Sequence, residues 1–131
     1  MTDDELRETT ERIYALAAAG AWKKVSELMA PDFVISEADD LPYTKRLEGP
    51  NALRNLYVEV TSLWNEPSFK RHALTVGEGH AVVILTMTAT SKKTGERLSI
   101  PICEAFRFDD GKCAEIRPYY FGAEAVRRAI A

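Results

Sequence analysis

Cysteine is scarce: the 131 residues hold only Cys103 and Cys113, too few for a disulfide framework. Histidine is equally rare: His72 has neither a Cys nor a carboxylate at ligand spacing, and His80, beside Gly79 in a turn, is expected to be solvated. HxH, HExxH and CxxC are absent, so neither a metal site nor a cofactor is expected. GxGxxG, a Walker loop and GxSxG are also missing, which removes motif support for nucleotide binding and serine hydrolysis. Apolar runs fall short of the ~20 residues that span a bilayer, so no membrane partner is expected. Basic residues form only isolated pairs (Lys23 with Lys24, Lys92 with Lys93, Arg127 with Arg128), and the net charge is −3. A nucleic-acid-binding face is therefore not expected. Met1 to Glu5 is acidic, unlike a signal peptide, and a reducing cytoplasm is the expected compartment.

What remains is ordinary globular composition, 46% hydrophobic and 28% charged, in a length that fits one domain, 1–131. A chain of this length buries roughly two-thirds of its unfolded surface and needs no covalent staple.

Thr2 and Glu5 have capping-box spacing. Leu6, Thr9, Ile13, Leu16 and Ala17 then recur with helical period, and Gly20 stops the helix. A second, short helix carries Trp22, Val25, Leu28 and Met29, with Pro31 ending it. Phe33, Ile35 and Glu37 alternate as a short strand, and 38–48 reads as a loop. Pro50 opens a third helix with the stripe Leu53, Leu56, Tyr57, Val60, Leu63 and Trp64, and Pro67 bars its continuation. Beyond it the period becomes two. Strands are predicted over 68–76, 80–90, 96–108 and 112–121, separated by glycine-containing turns, with a short helix over 123–130. This order implies an α+β fold in which three N-terminal helices cover one face of a curved sheet and enclose an apolar pocket.

The last hairpin decides which side chains enter that pocket. Ile100, Ile102, Phe106 and Phe108 share a face with one acid, Glu104, and the next strand alternates Ile116, Pro118 and Tyr120 with Glu115, Arg117 and Tyr119. A two-residue turn at Asp110 and Gly111 would set Glu104 opposite Arg117, whereas a three-residue loop starting at Asp109 would set it opposite Ile116. Only the latter puts both apolar rows on one side, and it is the predicted register. Glu104 then lies among apolar groups without a cation, which raises a carboxyl pKa and makes it an acid near neutral pH. The alternative is a purely structural Glu104 bonded to a tyrosine or to backbone. The same register sets Cys103 opposite Arg117 and Cys113 opposite Arg107, too far apart for a disulfide.

Glu37 shares its face with Phe33 and Ile35 and can point to the pocket mouth. An exposed, ionised Glu37 beside a buried, neutral Glu104 would form a base–acid pair; the alternative is a solvated carboxylate at a strand end. Among the tyrosines, Tyr14 and Tyr120 are the better pocket candidates, while the spacing of Tyr57 also fits core. The predicted lining is Tyr14, Trp22, Phe33, Ile35, Tyr57, Ile102, Phe106, Ile116, Pro118 and Tyr120.

Five segments carry a family resemblance: Ala18 to Trp22 (AAGAW), Leu28 to Phe33 (LMAPDF), Leu47 to Leu53 (LEGPNAL), Glu104 to Lys112 (EAFRFDDGK) and Ile116 to Phe121 (IRPYYF). In this order and spacing the chain resembles the SnoaL-like branch of the nuclear transport factor 2-like superfamily, which implies a cone-shaped fold. That branch resembles ketosteroid isomerases and polyketide cyclases, which use carboxyls without metal on flat apolar ligands. The resemblance puts Glu37 at the position of the carboxylate base and Glu104 at that of the neutral hydrogen-bonding acid. The isomerases' first-helix tyrosine falls at Ile13, with Tyr14 one residue and about 100° away. The acid that many cyclase-like relatives carry after Tyr-Tyr-Phe is replaced by Gly122. The resemblance further implies a homodimer formed sheet to sheet, here through an outward face containing Cys103, Ala105, Cys113 and Tyr119. Three functions stay open: an acid–base enzyme acting on an apolar carbonyl compound, a non-catalytic binder or sensor of a small hydrophobic ligand, and an assembly domain.

Overall fold

Helix α1 (Asp3–Ala18) begins where the Thr2 hydroxyl accepts the Glu5 N–H at 3.1 Å, in a computed structural model that describes residues 1–131. Asp3, Asp4 and Glu5 face the positive end of the helix dipole. Leu6, Thr10, Ile13 and Ala17 form its buried stripe. Thr10 rather than Thr9 completes that stripe, and its hydroxyl donates to the Leu6 carbonyl at 2.7 Å, so it is buried without an unmet hydrogen bond.

Gly20, at φ +69°, turns the chain into α2 (Trp22–Glu27). Strand β1 (Met29–Ser36) starts ahead of Pro31 and is longer than its alternation indicated. Residues 38–48 are not wholly loop, because β2 (Arg46–Glu48) pairs antiparallel with the end of β1. Helix α3 (Ala52–Leu63) gives way at Trp64 to β3 (Trp64–Gly77), before Pro67 is reached. Pro67 falls in a register shift between Asn65 and Ser68, where no ladder N–H is required of it. Strands β4 (His80–Ser91), β5 (Arg97–Asp109) and β6 (Lys112–Tyr120) follow, then α4 (Ala123–Ala129).

The six strands lie in the order β2-β1-β6-β5-β4-β3. Every neighbouring pair is antiparallel except β1 with β6, so the sheet is mixed. The architecture is α+β, with the first three helices over one face of a curved sheet.

The last hairpin differs from the predicted register. Asp109 pairs with Lys112 across a two-residue turn, and Asp110 and Gly111 have φ of +49° and +77°, as a primed turn requires. Arg107 pairs with Glu115 but Phe108 with Cys113, so Ala114 is an extra residue, a bulge that exchanges faces. The bulge does what the longer loop was invoked to do, aligning the two apolar rows. Glu104 faces Pro118 rather than Ile116, and Phe106 takes Ile116. Cys103 lies opposite Tyr119, and Cys113, opposite Phe108, is fully buried in the core instead of on the outer face.

Three rows cross the concave side: Val76–Ala81–Phe106–Ile116, Leu74–Val83–Glu104–Pro118 and Arg71–Leu85–Ile102–Tyr120. The helices close over these rows and form one contiguous core. Trp64 anchors one edge, its indole N–H donating to the Tyr43 hydroxyl at 2.9 Å inside that core. Truncating a fully enclosed aromatic such as Phe33 to Ala would cost about 3–5 kcal/mol. No helix is long and apolar enough to cross a membrane.

Candidate functional site

Between the helices and the sheet lies a cavity of about 480 Å³, within the range of small-molecule sites. Its floor is Glu104 and Phe106 of β5 with Ile116, Pro118 and Tyr120 of β6; its roof is one face of α1 and one face of α3. Helix α1 presents Ala15, Ala17 and Ala18 beside Ile13 and Tyr14, and these short side chains leave the void unfilled. Leu53, Leu56, Tyr57 and Val60 come from α3, and β3 adds Pro67, Phe69 and Arg71 on one side.

Strand alternation aims the Glu104 carboxyl into this space, flanked in its row by Val83 and Pro118. Its Oε1 accepts the Tyr14 hydroxyl at 2.5 Å. Burial raises the Glu104 pKa, and the Tyr14 bond opposes that rise. Tyr14 itself is held far above the usual phenol range by burial and by the adjacent Glu104. Its ring lies 5.6 Å from that of Phe106, and the Arg71 guanidinium sits 4.8 Å from its centroid.

Glu37 follows the last residue of β1 and reaches the same cavity. It is 7% exposed, so the expectation of an exposed, ionised carboxylate at the mouth is corrected. The β1–β2 hairpin folds over it, its N–H donating to the Lys45 carbonyl at 2.9 Å. Burial, then Glu104 and Glu59, raise its pKa from 4.5 to about 8, with Lys45 pulling the other way. One oxygen, Oε2, is buried with no hydrogen-bond partner, an uncommon condition for a native polar atom. On its other side Glu37 borders a more open cleft of about 390 Å³ that includes Asp39 and Arg117.

Two further phenols belong to the site. Burial and Glu104 push Tyr57 up to about 12, and burial, Tyr43 and the two glutamates raise Tyr120 well above its ordinary value. No group of three His, Cys, Asp or Glu side chains is gathered to hold a metal ion.

The structure brings Tyr14, Glu37, Tyr57, Glu104, Phe106, Ile116, Pro118 and Tyr120 together around the cavity. Trp22, Phe33, Ile35 and Ile102 do not line it. Trp22 packs edge-on behind Tyr57 at 4.9 Å, and Phe33 and Ile35 are wholly enclosed in β1, which the helices cover. Ile102 is buried in its row between Leu85 and Tyr120. Sequence reasoning missed Phe69 and Arg71. With Pro67 they lie two residues apart in β3, but nothing in that spacing signals that this face closes the cavity.

Residues 10–116 match the profile of the SnoaL-like domain. No curated protein matches the chain. Among solved structures, an NTF2-like protein from Burkholderia xenovorans LB400 superposes with a TM-score of 0.88 at 20% identity, over 100% of this chain and 99% of that one. A protein from Jannaschia sp. CCS1 assigned as a SnoaL-like polyketide cyclase gives 0.82 at 19% identity, over 98% and 92% of the two chains. TerC, crystallised with polyporic acid, gives 0.81 at 15% identity, over 96% and 98%. At these identities the structures establish a fold shared with NTF2-like proteins, and the domain match establishes the family: this chain belongs to the SnoaL-like domain family.

Proposed function

We propose that the chain binds an apolar carbonyl compound in this cavity and catalyses proton transfer at the carbon next to the carbonyl. The observation that carries the proposal is the pair of carboxyls in an apolar enclosure, Glu37 with an unpartnered oxygen and Glu104 held by a phenol. Ionised Glu37 removes the α-proton, and the electron pair moves onto the carbonyl oxygen. Protonated Glu104, whose Oε1 is occupied by Tyr14, donates a hydrogen bond from its other oxygen to the enolate. Return of the proton at a second carbon completes an isomerisation; attack of the enolate on a second carbonyl of the same molecule moves that carbonyl's π pair onto its oxygen, which takes the proton back from Glu37 and completes a cyclisation. A preorganised donor of this kind contributes about 10²–10³ in rate. The open cleft beside Glu37 gives its proton a way to solvent.

Deuterium uptake from heavy water into a panel of enolisable apolar ketones tests the proposal. Uptake that depends on both Glu37 and Glu104 supports it, and no uptake with any ketone contradicts it. A non-catalytic binder or sensor would keep its ligand affinity in Glu37→Gln and Glu104→Gln while showing no exchange even in the native chain.

Pairing of two copies through the outer sheet face is a second element of the proposal. Ile84, Cys103 and Tyr119 form one row there, and Ile84 and Tyr119 are 43% and 54% exposed, more apolar surface than a solvated face needs. Light scattering at micromolar concentration should give a dimer; a stable monomer contradicts this element.

A further inference from the structure

Arg71 is the only cation lining the cavity. It sits on β3 in the row of Leu85, Ile102 and Tyr120 and is exposed at the cavity's edge. Arg46, Arg107 and Arg117 pair with acids, and Arg7 and Arg97 donate to Leu74 O and Thr90 Oγ1; Arg12, Arg54, Arg127 and Arg128 have no such partner but lie outside the cavity. Arg71 has neither an ion pair nor a hydrogen bond, and its one specific contact is the Tyr14 ring, 4.8 Å from its Cζ. A guanidinium held over a ring by its charge spends none of its N–H groups on that contact, and a planar guanidinium with free N–H groups can receive a carboxylate through two parallel bonds.

The remainder of the lining limits where an anion can go. Apart from Arg71 it is apolar or phenolic except for Thr61 and the two carboxyls, none of which offers an anion a positive charge. Glu104 belongs to β5, two strands from β3, or about 10 Å across the sheet at the usual strand spacing. Tyr14 links the two places, with its ring under Arg71 and its hydroxyl on Glu104.

We infer that Arg71 is a specificity residue that anchors a carboxylate at the cavity edge, making the preferred ligand an apolar keto acid whose carbonyl reaches inward to Glu104. The inference rests on the cavity being the site of an apolar carbonyl compound, and it names the second functional group of that compound. It also fixes orientation: carboxylate at β3, apolar body between α1 and α3, ketone over β5 and β6.

The test is calorimetric binding of a matched pair, 2-naphthylacetate and its neutral primary amide, to the native chain, Arg71→Gln and Arg71→Lys. The native chain should bind the acid about tenfold more tightly than the amide, the value of a charge-assisted bond at a half-solvated site. Arg71→Gln should bring the acid-to-amide ratio to about one, and Arg71→Lys should retain part of the preference. Equal affinity in the native chain, or an acid preference that survives in Arg71→Gln, overturns the assignment while leaving the cavity reading intact. Binding of neither probe overturns the assignment and counts against the cavity as a ligand site. The proton-transfer chemistry is judged separately, by deuterium uptake into neutral ketones.

Discussion

The Tyr14 hydroxyl donates to Glu104 Oε1 at 2.5 Å, tying the first helix to the middle of the fifth strand across the cavity. This bond sets the orientation of the acid and uses one of its two oxygens, so the other is left to meet a ligand. It also opposes the effect of burial on Glu104, since an accepted hydrogen bond favours the ionised form.

Replacing Tyr14 with Phe should therefore raise the Glu104 pKa further and loosen its aim. The expected loss is about 1–2 kcal/mol of stability, the value of a partly buried hydrogen bond whose acceptor is left unmet. Urea denaturation measures the stability, and deuterium uptake measures a rate decrease of about tenfold or more. Unchanged stability together with an unchanged rate would show that the bond supports neither fold nor site.

Glu37 should make folding stability depend on pH in an unusual direction. Its carboxyl has a pKa of about 8 in the folded chain and about 4.5 when unfolded, so the folded state holds the proton more tightly. The contribution is fully present below pH 4.5 and is lost as pH rises through 8, an effect of up to about 5 kcal/mol. Glu37→Gln, which cannot ionise, should flatten that slope. Denaturation midpoints measured from pH 5 to pH 9 on both proteins check the sign, and a native chain that gains stability over that window contradicts the assignment.

Exchange activity should rise with pH and level off above about 8, as Glu37 ionises. It should fall again at higher pH if Glu104, also raised by burial, loses the proton it donates. The profile of kcat/KM against pH reports both limbs. A profile flat from pH 5 to pH 9 would remove Glu37 as the base.

Glu104→Gln keeps the shape of the side chain and an acceptor for Tyr14 but replaces the acidic O–H donor with a far weaker amide N–H, whereas Glu104→Ala leaves the Tyr14 hydroxyl without its acceptor. The first should cost about 10²–10³ in exchange rate with little change in stability, and the second should lose stability as well. Thermal unfolding beside deuterium uptake separates the two effects.

Gly122 has φ +107° at the entry to α4. A side chain there is strained although a Cβ would meet only Ile100 Cδ1, at 3.9 Å, so Gly122→Ala should destabilise by about 1 kcal/mol or more. Unfolding free energies of the two proteins check it.

Much of this was legible because the strands alternate cleanly. The parity of Ile100, Ile102, Glu104 and Phe106 fixed which face the acid occupies, and that result survived an incorrect turn because the Ala114 bulge restores the same parity. The bulge left no local mark: Cys113 and Ala114 are small, ordinary strand residues, and only pairing geometry shows that one is supernumerary. Burial on a strand face also cannot distinguish a side chain that meets a void from one that meets a helix. Phe33, Ile35 and Ile102 have the pattern of lining residues and are core, while Arg71, polar and exposed, is lining. The alanines of α1 were readable as helix but not as the reason the cavity exists.

The central claim is that Glu37 and Glu104 share an apolar enclosure that raises both carboxyls above their ordinary range. A carbon-13 NMR titration of the glutamate side-chain carboxyls, with Glu37→Gln and Glu104→Gln as assignments, tests it most directly. The account predicts a Glu37 midpoint near 8 and a Glu104 midpoint above the ordinary carboxylate range, raised by burial. Both carboxyls titrating in the ordinary range near 4.5 would contradict it.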